Sequence, residues 1–121
     1  MVIAPVAAKI FLPKSEVHAL DPVVSSISPA HDSTTESPLT QVRIHFSKPM
    51  DTGSVKQAFS ITPPGKGIFS WSTNGDCLTF APQGAGFAAG TIVTIRIADS
   101  ARDSGFRKRL YAPFESRFGV K

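Results

Sequence analysis

The sequence predicts an all-β fold, a sandwich of about seven antiparallel strands with helix confined to short turns. Three observations carry that prediction. Nine Gly and ten Pro are spread along 121 residues, so they punctuate many short segments instead of forming one linker. Between them, apolar and polar residues alternate with the period of a strand. One such stretch holds Asn74-Gly75 between two β-rich runs, a strong short-range hairpin signal.

Residues 23–27 form a short strand that Pro29 stops, and "AHDSTTESP" reads as a polar loop. In residues 41–47, Val42, Ile44 and Phe46 share one face while Arg43, His45 and Ser47 share the other, the pattern of a half-buried strand. Pro49 ends it, because proline cannot donate to a ladder. Asp51 or Thr52 is expected to cap a single helical turn reaching Ala58, its side-chain oxygen meeting free backbone N–H groups. Phe59 and Ile61 return to strand spacing, and Pro63-Pro64-Gly65 closes that strand.

In "IFSWSTNGDCLTF", a type I′ turn at Asn74-Gly75 sets Ser72 opposite Cys77, Trp71 opposite Leu78 and Phe69 opposite Phe80. One face of the hairpin is then large and apolar, and the other holds Ser70, Ser72, Cys77 and Thr79. A slip of one residue would mix the two sets. "GAGFAAGT" is a loop, and residues 91–98 form a strand with Val93, Ile95 and Ile97 inward. The loop "DSARDSGFRKRL" leads to a last strand over 113–120, where Phe114, Ser116 and Phe118 share a face. This count and spacing fit an Ig-like sandwich. The expected core is Val42, Ile44, Phe46, Phe69, Trp71, Leu78, Phe80, Val93, Ile95, Ile97, Phe114 and Phe118.

At this length the chain holds one domain with a real core, expected over residues 22–121. Residues 1–21 read as a lead-in or inter-domain linker, apolar in patches but cut by Pro5, Lys9 and Pro13. They lack the basic start and unbroken apolar stretch of a secretory signal. No run approaches the length of a membrane span. The chain is therefore expected to be a piece of a longer protein.

Net charge is +4 and the pI is near 9.6, which permits a polyanionic partner without demanding one. Arg102, Arg107, Lys108 and Arg109 form the one local concentration, either a solvated loop or a polyanion contact. Only Phe106 and Tyr111 flank it, too few stacking rings for a nucleic-acid platform, so no nucleic-acid partner is expected. Cys77 is the sole cysteine, which excludes an intrachain disulfide and a Cys-rich zinc site.

The ordered phrases "VVSSISPAHDS", "VRIHFSKPMD", "AFSITP", "FSW", "LTFAP", "GTIVTIRIA", "ARDSG" and "PFESRF" resemble the bacterial Ig-like domain of surface-layer proteins. The resemblance covers about residues 22–119. It implies a non-enzymatic sandwich, one bead in a long exported protein, acting as spacer, stalk or packing unit. The family pattern usually has Asn after the glycine of the "ARDSG" phrase, where Phe106 stands here. No catalytic residue comes with the resemblance.

Other site readings are weak on chemistry. Gly84, Gly86 and Gly90 miss the dinucleotide spacing and precede a strand, where a phosphate loop needs a helix. His18, His31 and His45 could serve a hydrolytic triad, but no elbow motif presents a serine. The phrase led by His18 loosely resembles periplasmic copper-binding sandwiches, yet their later histidine phrase is missing. Asp99 and Asp103 are weak calcium candidates, with a spacing that fits no tight loop. Trp71 is expected in the core and not as a sugar platform.

The expected role is thus a structural spacer at the cell surface, outside the cell or in the periplasm. No catalytic residue, metal or cofactor is expected. Its partners would be neighbouring domains of the parent chain, and the isolated domain would be a monomer. The alternative is an adhesin-like module that binds cell-wall or other anionic polysaccharide through loops and the basic segment 102–109.

Overall fold

Strand β3, Val42–Phe46, shows how the fold is built. Val42, Ile44 and Phe46 are buried while Arg43 and His45 face solvent, so one side of the ribbon must be covered by a second layer. The computed structural model describes residues 21–121; all of the expected lead-in but Asp21, His18 included, lies outside the described residues. Its elements are β1 (Val24–Ser28), β2 (Ser33–Thr35), β3, α1 (Thr52–Ala58), β4 (Phe59–Thr62), β5 (Gly67–Trp71), β6 (Cys77–Pro82), β7 (Ile92–Ile97) and β8 (Phe114–Val120). They form two four-stranded sheets, β1-β3-β6-β5 and β2-β8-β7-β4. The all-β sandwich read from the sequence is the observed architecture.

Two corrections follow. The described residues hold eight strands, because residues 33–35 of the expected loop pair with β8, Ser33 opposite Phe118 and Thr35 opposite Val120. That pairing is parallel, so the sheets are not purely antiparallel. Ser-Thr-Thr has no apolar alternation to reveal it; backbone contacts such as Asp32 N–H to Arg117 O (2.7 Å) set it in place.

The hairpin register is as read: Trp71 opposite Leu78 and Phe69 opposite Phe80. Its turn is not type I′. Ser72 N–H donates to Cys77 O and Gly75 N–H to Ser72 O, each at 3.0 Å, closing a four-residue loop over 73–76. Only Gly75 there has positive φ (79°). The register survives because a two-residue and a four-residue loop can share one centre. The turn is drawn toward the β3–α1 junction, where Phe46 N–H takes Asp76 O (2.7 Å) and Met50 N–H takes Gly75 O (2.9 Å).

The helix cap also differs from expectation. Asp51 occupies the N-cap position without a side-chain cap bond. Its carbonyl instead accepts from Ser54 Oγ (2.8 Å) and Val55 N–H (3.2 Å), and its N–H donates to Arg102 O (2.8 Å). The carboxylate turns to Arg107 instead.

Of the expected core, nine residues are buried; Phe69, Trp71 and Phe114 are partly buried and pack against the cluster. Phe69 and Trp71 lie on β5, an edge strand, and are half-buried there. Trp71 stacks on Phe46 with centroids 6.2 Å apart. Met50, Val55, Ala58, Phe87, Ala101, Leu110 and Val120 complete the core from loops, from α1 and from the end of β8. Phe87 is delivered by the glycine loop and meets Phe118 edge to face at 5.6 Å.

That delivery depends on Gly86. Its φ is +75°, and a Cβ there would run into the carbonyl of Pro38. Gly84 also has positive φ (+66°) but faces open space. In denaturant melts Gly84→Ala should cost about 1 kcal/mol for its left-handed backbone. Gly86→Ala should cost about 3 kcal/mol or more, because strain and clash add and Phe87 is displaced. Equal costs would contradict this account of the loop.

Candidate functional site

Residues 101–110 fold back as a small hairpin between β7 and β8. Ala101 and Leu110 are buried at its base, joined by Leu110 N–H to Ala101 O (2.8 Å). Arg102 and Arg109 form an antiparallel bridge above them. The hairpin rests on α1, where Arg102 N–H donates to Ser54 Oγ (2.9 Å) and Asp103 bridges to Met50. Asp103 is 2% exposed; its Oδ1 accepts from Lys108 N–H (2.7 Å), so this carboxylate closes the loop. Asp99 is exposed. No group of three or more potential metal-binding His, Cys, Asp or Glu side chains occurs among the described residues.

The four basic residues differ in their surroundings. Arg102 is half-buried, with its Nε enclosed and without a hydrogen-bond partner among the described residues. Arg107 lies 3.9 Å from Asp51, and Lys108 lies 3.9 Å from Asp21. Such wide, solvated pairs contribute little stability but lower the local field. Arg109 is exposed, and Phe106 is 80% exposed with Lys48 Nζ 6.0 Å from its ring centre. Arg107 takes a left-handed backbone (φ 57°), the conformation the loop needs two residues after Gly105.

A second cluster was not legible from sequence. His31 Nδ1 accepts from Arg117 N–H (3.2 Å) and lies 3.2 Å from Ser116 Oγ, while Nε2 lies 3.3 Å from Asp32 Oδ2. The backbone donor places the imidazole proton on Nε2. Arg117 Nε–H closes the ring by donating to Asp32 Oδ1 (2.7 Å). Serine, histidine and aspartate thus meet, but not as a nucleophilic triad. Ser116 is only 3% exposed, and Nδ1 already holds a backbone proton donor. The cluster fastens the entry of β2 onto β8.

On the outer face of the other sheet, Cys77 Sγ lies 3.6 Å from His45 Nε2. Beside them Asp76 accepts from Ser72 Oγ (3.0 Å) and Asn74 Nδ2 (3.3 Å). These two bonds hold its carboxyl below the usual carboxylate range.

Residues 19–120 match the family described as bacterial Ig-like domain. The chain belongs to that family. Among solved structures, this Ig-like domain is similar to the L,D-transpeptidase LdtMt1 in complex with imipenem, with TM-score 0.61 and 20% identity over 82% of this chain and 39% of that one. It is similar to the L,D-transpeptidase from Mycobacterium smegmatis, with TM-score 0.60 and 16% identity over 82% of this chain and 39% of that one. It is also similar to the S-layer protein SbsC, with TM-score 0.57 and 21% identity over 88% of this chain and 14% of that one. At these identities the likeness is one of fold, and the domain spans well under half of each neighbour. A search of curated proteins gives no match. No helix among the described residues is long and apolar enough to cross a membrane.

The Asp76 bonds carry a pH dependence of defined sign. Because folding lowers this pKa, the stabilisation is full above the unfolded carboxylate value and is lost as pH falls through the lower folded value. An NMR titration should place Asp76 below the ordinary aspartate value, and Ser72→Ala should move it upward. An Asp76 that titrates at the ordinary aspartate value would show that the bonds do not form in solution.

Proposed function

We propose that this domain is a non-catalytic spacer of an exported bacterial protein, holding its chain neighbours at a set separation at the surface or in the periplasm. The observation that carries this is where the chain enters and leaves the sandwich. Pro22 O accepts from Tyr111 N–H (2.9 Å), and Val23 and Val24 lie beside Pro113 and Phe114 at the start of β8. The described chain ends just past the other end of β8, where Lys121 N–H donates to Thr35 O (3.0 Å). Seven residues of strand therefore separate entry from exit, about 20 Å at strand rise. Between them β8 is bonded on both sides, to β7 and to β2. Tension applied at the two ends runs along these strands and must shear ladder bonds in parallel.

Family membership and the likeness to SbsC support this reading, as does the closed role of Asp103 and His31. The polysaccharide-binding alternative is favoured by one observation, the exposed Phe106 beside Arg107 and Arg109. Pulling the domain by residues 22 and 121 should give one cooperative rupture releasing roughly 300 Å of chain. On a heparin column at about 150 mM salt the domain should pass unretained, since two of its four loop cations, Arg107 and Lys108, face carboxylates and salt screens the rest. Gradual extension would remove the spacer reading. Retention abolished by Arg107→Glu with Arg109→Glu would establish the alternative.

A further inference from the structure

A groove of about 440 Å³ lies between the edge strands of the two sheets, β4 and β5. Its floor is an aromatic cluster: Phe59 meets Phe69 edge to face at 5.1 Å and stacks on Phe80 at 5.4 Å. Lys56, Lys66 and Gln83 rim it, and no carboxylate lines it. Lys56 Nζ sits 5.8 Å from the Phe69 ring centre.

Both walls are edge strands that have no further strand beside them among the described residues. Ser72 N–H bonds Cys77 O at one end of the β5–β6 ladder and Gln83 N–H bonds Lys66 O at the other. In an antiparallel ladder the inward-bonding residues alternate, so Ser70 and Ile68 bond to β6. The backbone groups of Gly67, Phe69 and Trp71 then point away from β6, and β5 has no second neighbour among the described residues. On β4, Ala98 N–H to Ala58 O (3.0 Å) sets the same alternation, which turns the Ile61 backbone outward. β5 carries neither proline nor charge, the usual protections of an edge.

We propose that this groove binds an extended acidic peptide segment, which adds as a strand to β5. Main-chain bonds would run to Gly67, Phe69 and Trp71. Apolar side chains would cover Phe59 and Phe69, and acidic side chains would meet Lys56 and Lys66. A row of unpaired amides and carbonyls at strand spacing suits a peptide backbone and not a sugar. Edge lysines discourage pairing with neutral or basic strands, yet they attract an acidic one, so the same two charges select the occupant. The described edge strands of a second copy, β1, β2, β4 and β5, contain no Asp or Glu and so lack the charge to meet these lysines. This surface is separate from the spacing role and survives or fails independently of it.

The test uses ¹⁵N-labelled protein and the blocked peptide Glu-Val-Glu-Phe-Glu-Val, with Lys-Val-Lys-Phe-Lys-Val and oligogalacturonate as comparison probes. The acidic peptide should shift the amides of Gly67, Phe69, Trp71 and Ile61 in a saturable way, and the lysine peptide should not. Lys56→Glu with Lys66→Glu should weaken binding at least tenfold while the remaining spectrum stays that of the folded protein; both positions are solvent-exposed. No shifts up to about 1 mM peptide would overturn the proposal. So would equal binding of both peptides, shifts confined to the 102–109 loop, saturable binding of oligogalacturonate alone, or concentration-dependent dimerisation through β5.

Discussion

Everything in this domain depends on two ribbons closing over one dry layer. Val42, Ile44 and Phe46 of β3, with Leu78 and Phe80 of β6, face Val93, Ile95, Ile97 and Phe118 of β7 and β8, and all nine are buried. Each large side chain removed from water contributes about 1.5–3 kcal/mol against chain entropy, so the set can leave the small net stability typical of a domain. Strand period makes the arrangement intolerant of error, since a shift by one residue would turn Arg43, His45 and Thr79 inward. The loops are positioned by this layer. Ala101, Leu110 and Met50 enter it, and with them come the basic hairpin and the α1 junction.

The layer was legible in the sequence because burial leaves a period. Alternation marked β3, β7 and β8, and residue counting about Asn74-Gly75 set the register of β5 on β6. What escaped prediction carries no period. β2 is three polar residues held by backbone bonds, so nothing in Ser33, Thr34 and Thr35 announces a strand. The turn at residues 73–76 kept its register but changed its type, because Phe46 and Met50 take its carbonyls from a distant stretch. Ser54 replaced Asp51 and Thr52 at the helix start for a similar reason: its hydroxyl serves both Asp51 O and Arg102 N–H. The His31–Ser116 contact joins positions 85 residues apart, beyond any local pattern.

The same distinction separates the candidate sites. Charged residues that looked available in sequence are largely engaged in the fold: Asp103 closes its loop, Asp32 and His31 fasten β2, and Asp51 faces Arg107. Their chemistry is that of surface fastening, which is what the proposed spacer role asks of the domain. Family membership agrees with that character. The unpaired features lie elsewhere, along the edges of β4 and β5, where aromatic floor, open backbone and lysines meet. Edge strands are invisible to single-chain patterning, because which strand lacks a neighbour is decided by topology alone.

Native-state hydrogen exchange tests the dry layer most directly. The amides of Ile44, Leu78 and Ile95 should exchange only through global unfolding, with an opening free energy equal to that from a denaturant melt, while β2 exchanges through local opening. If these central amides exchange as readily as those of β2, the two inner faces do not close on one cooperative core, and the account of the fold is wrong.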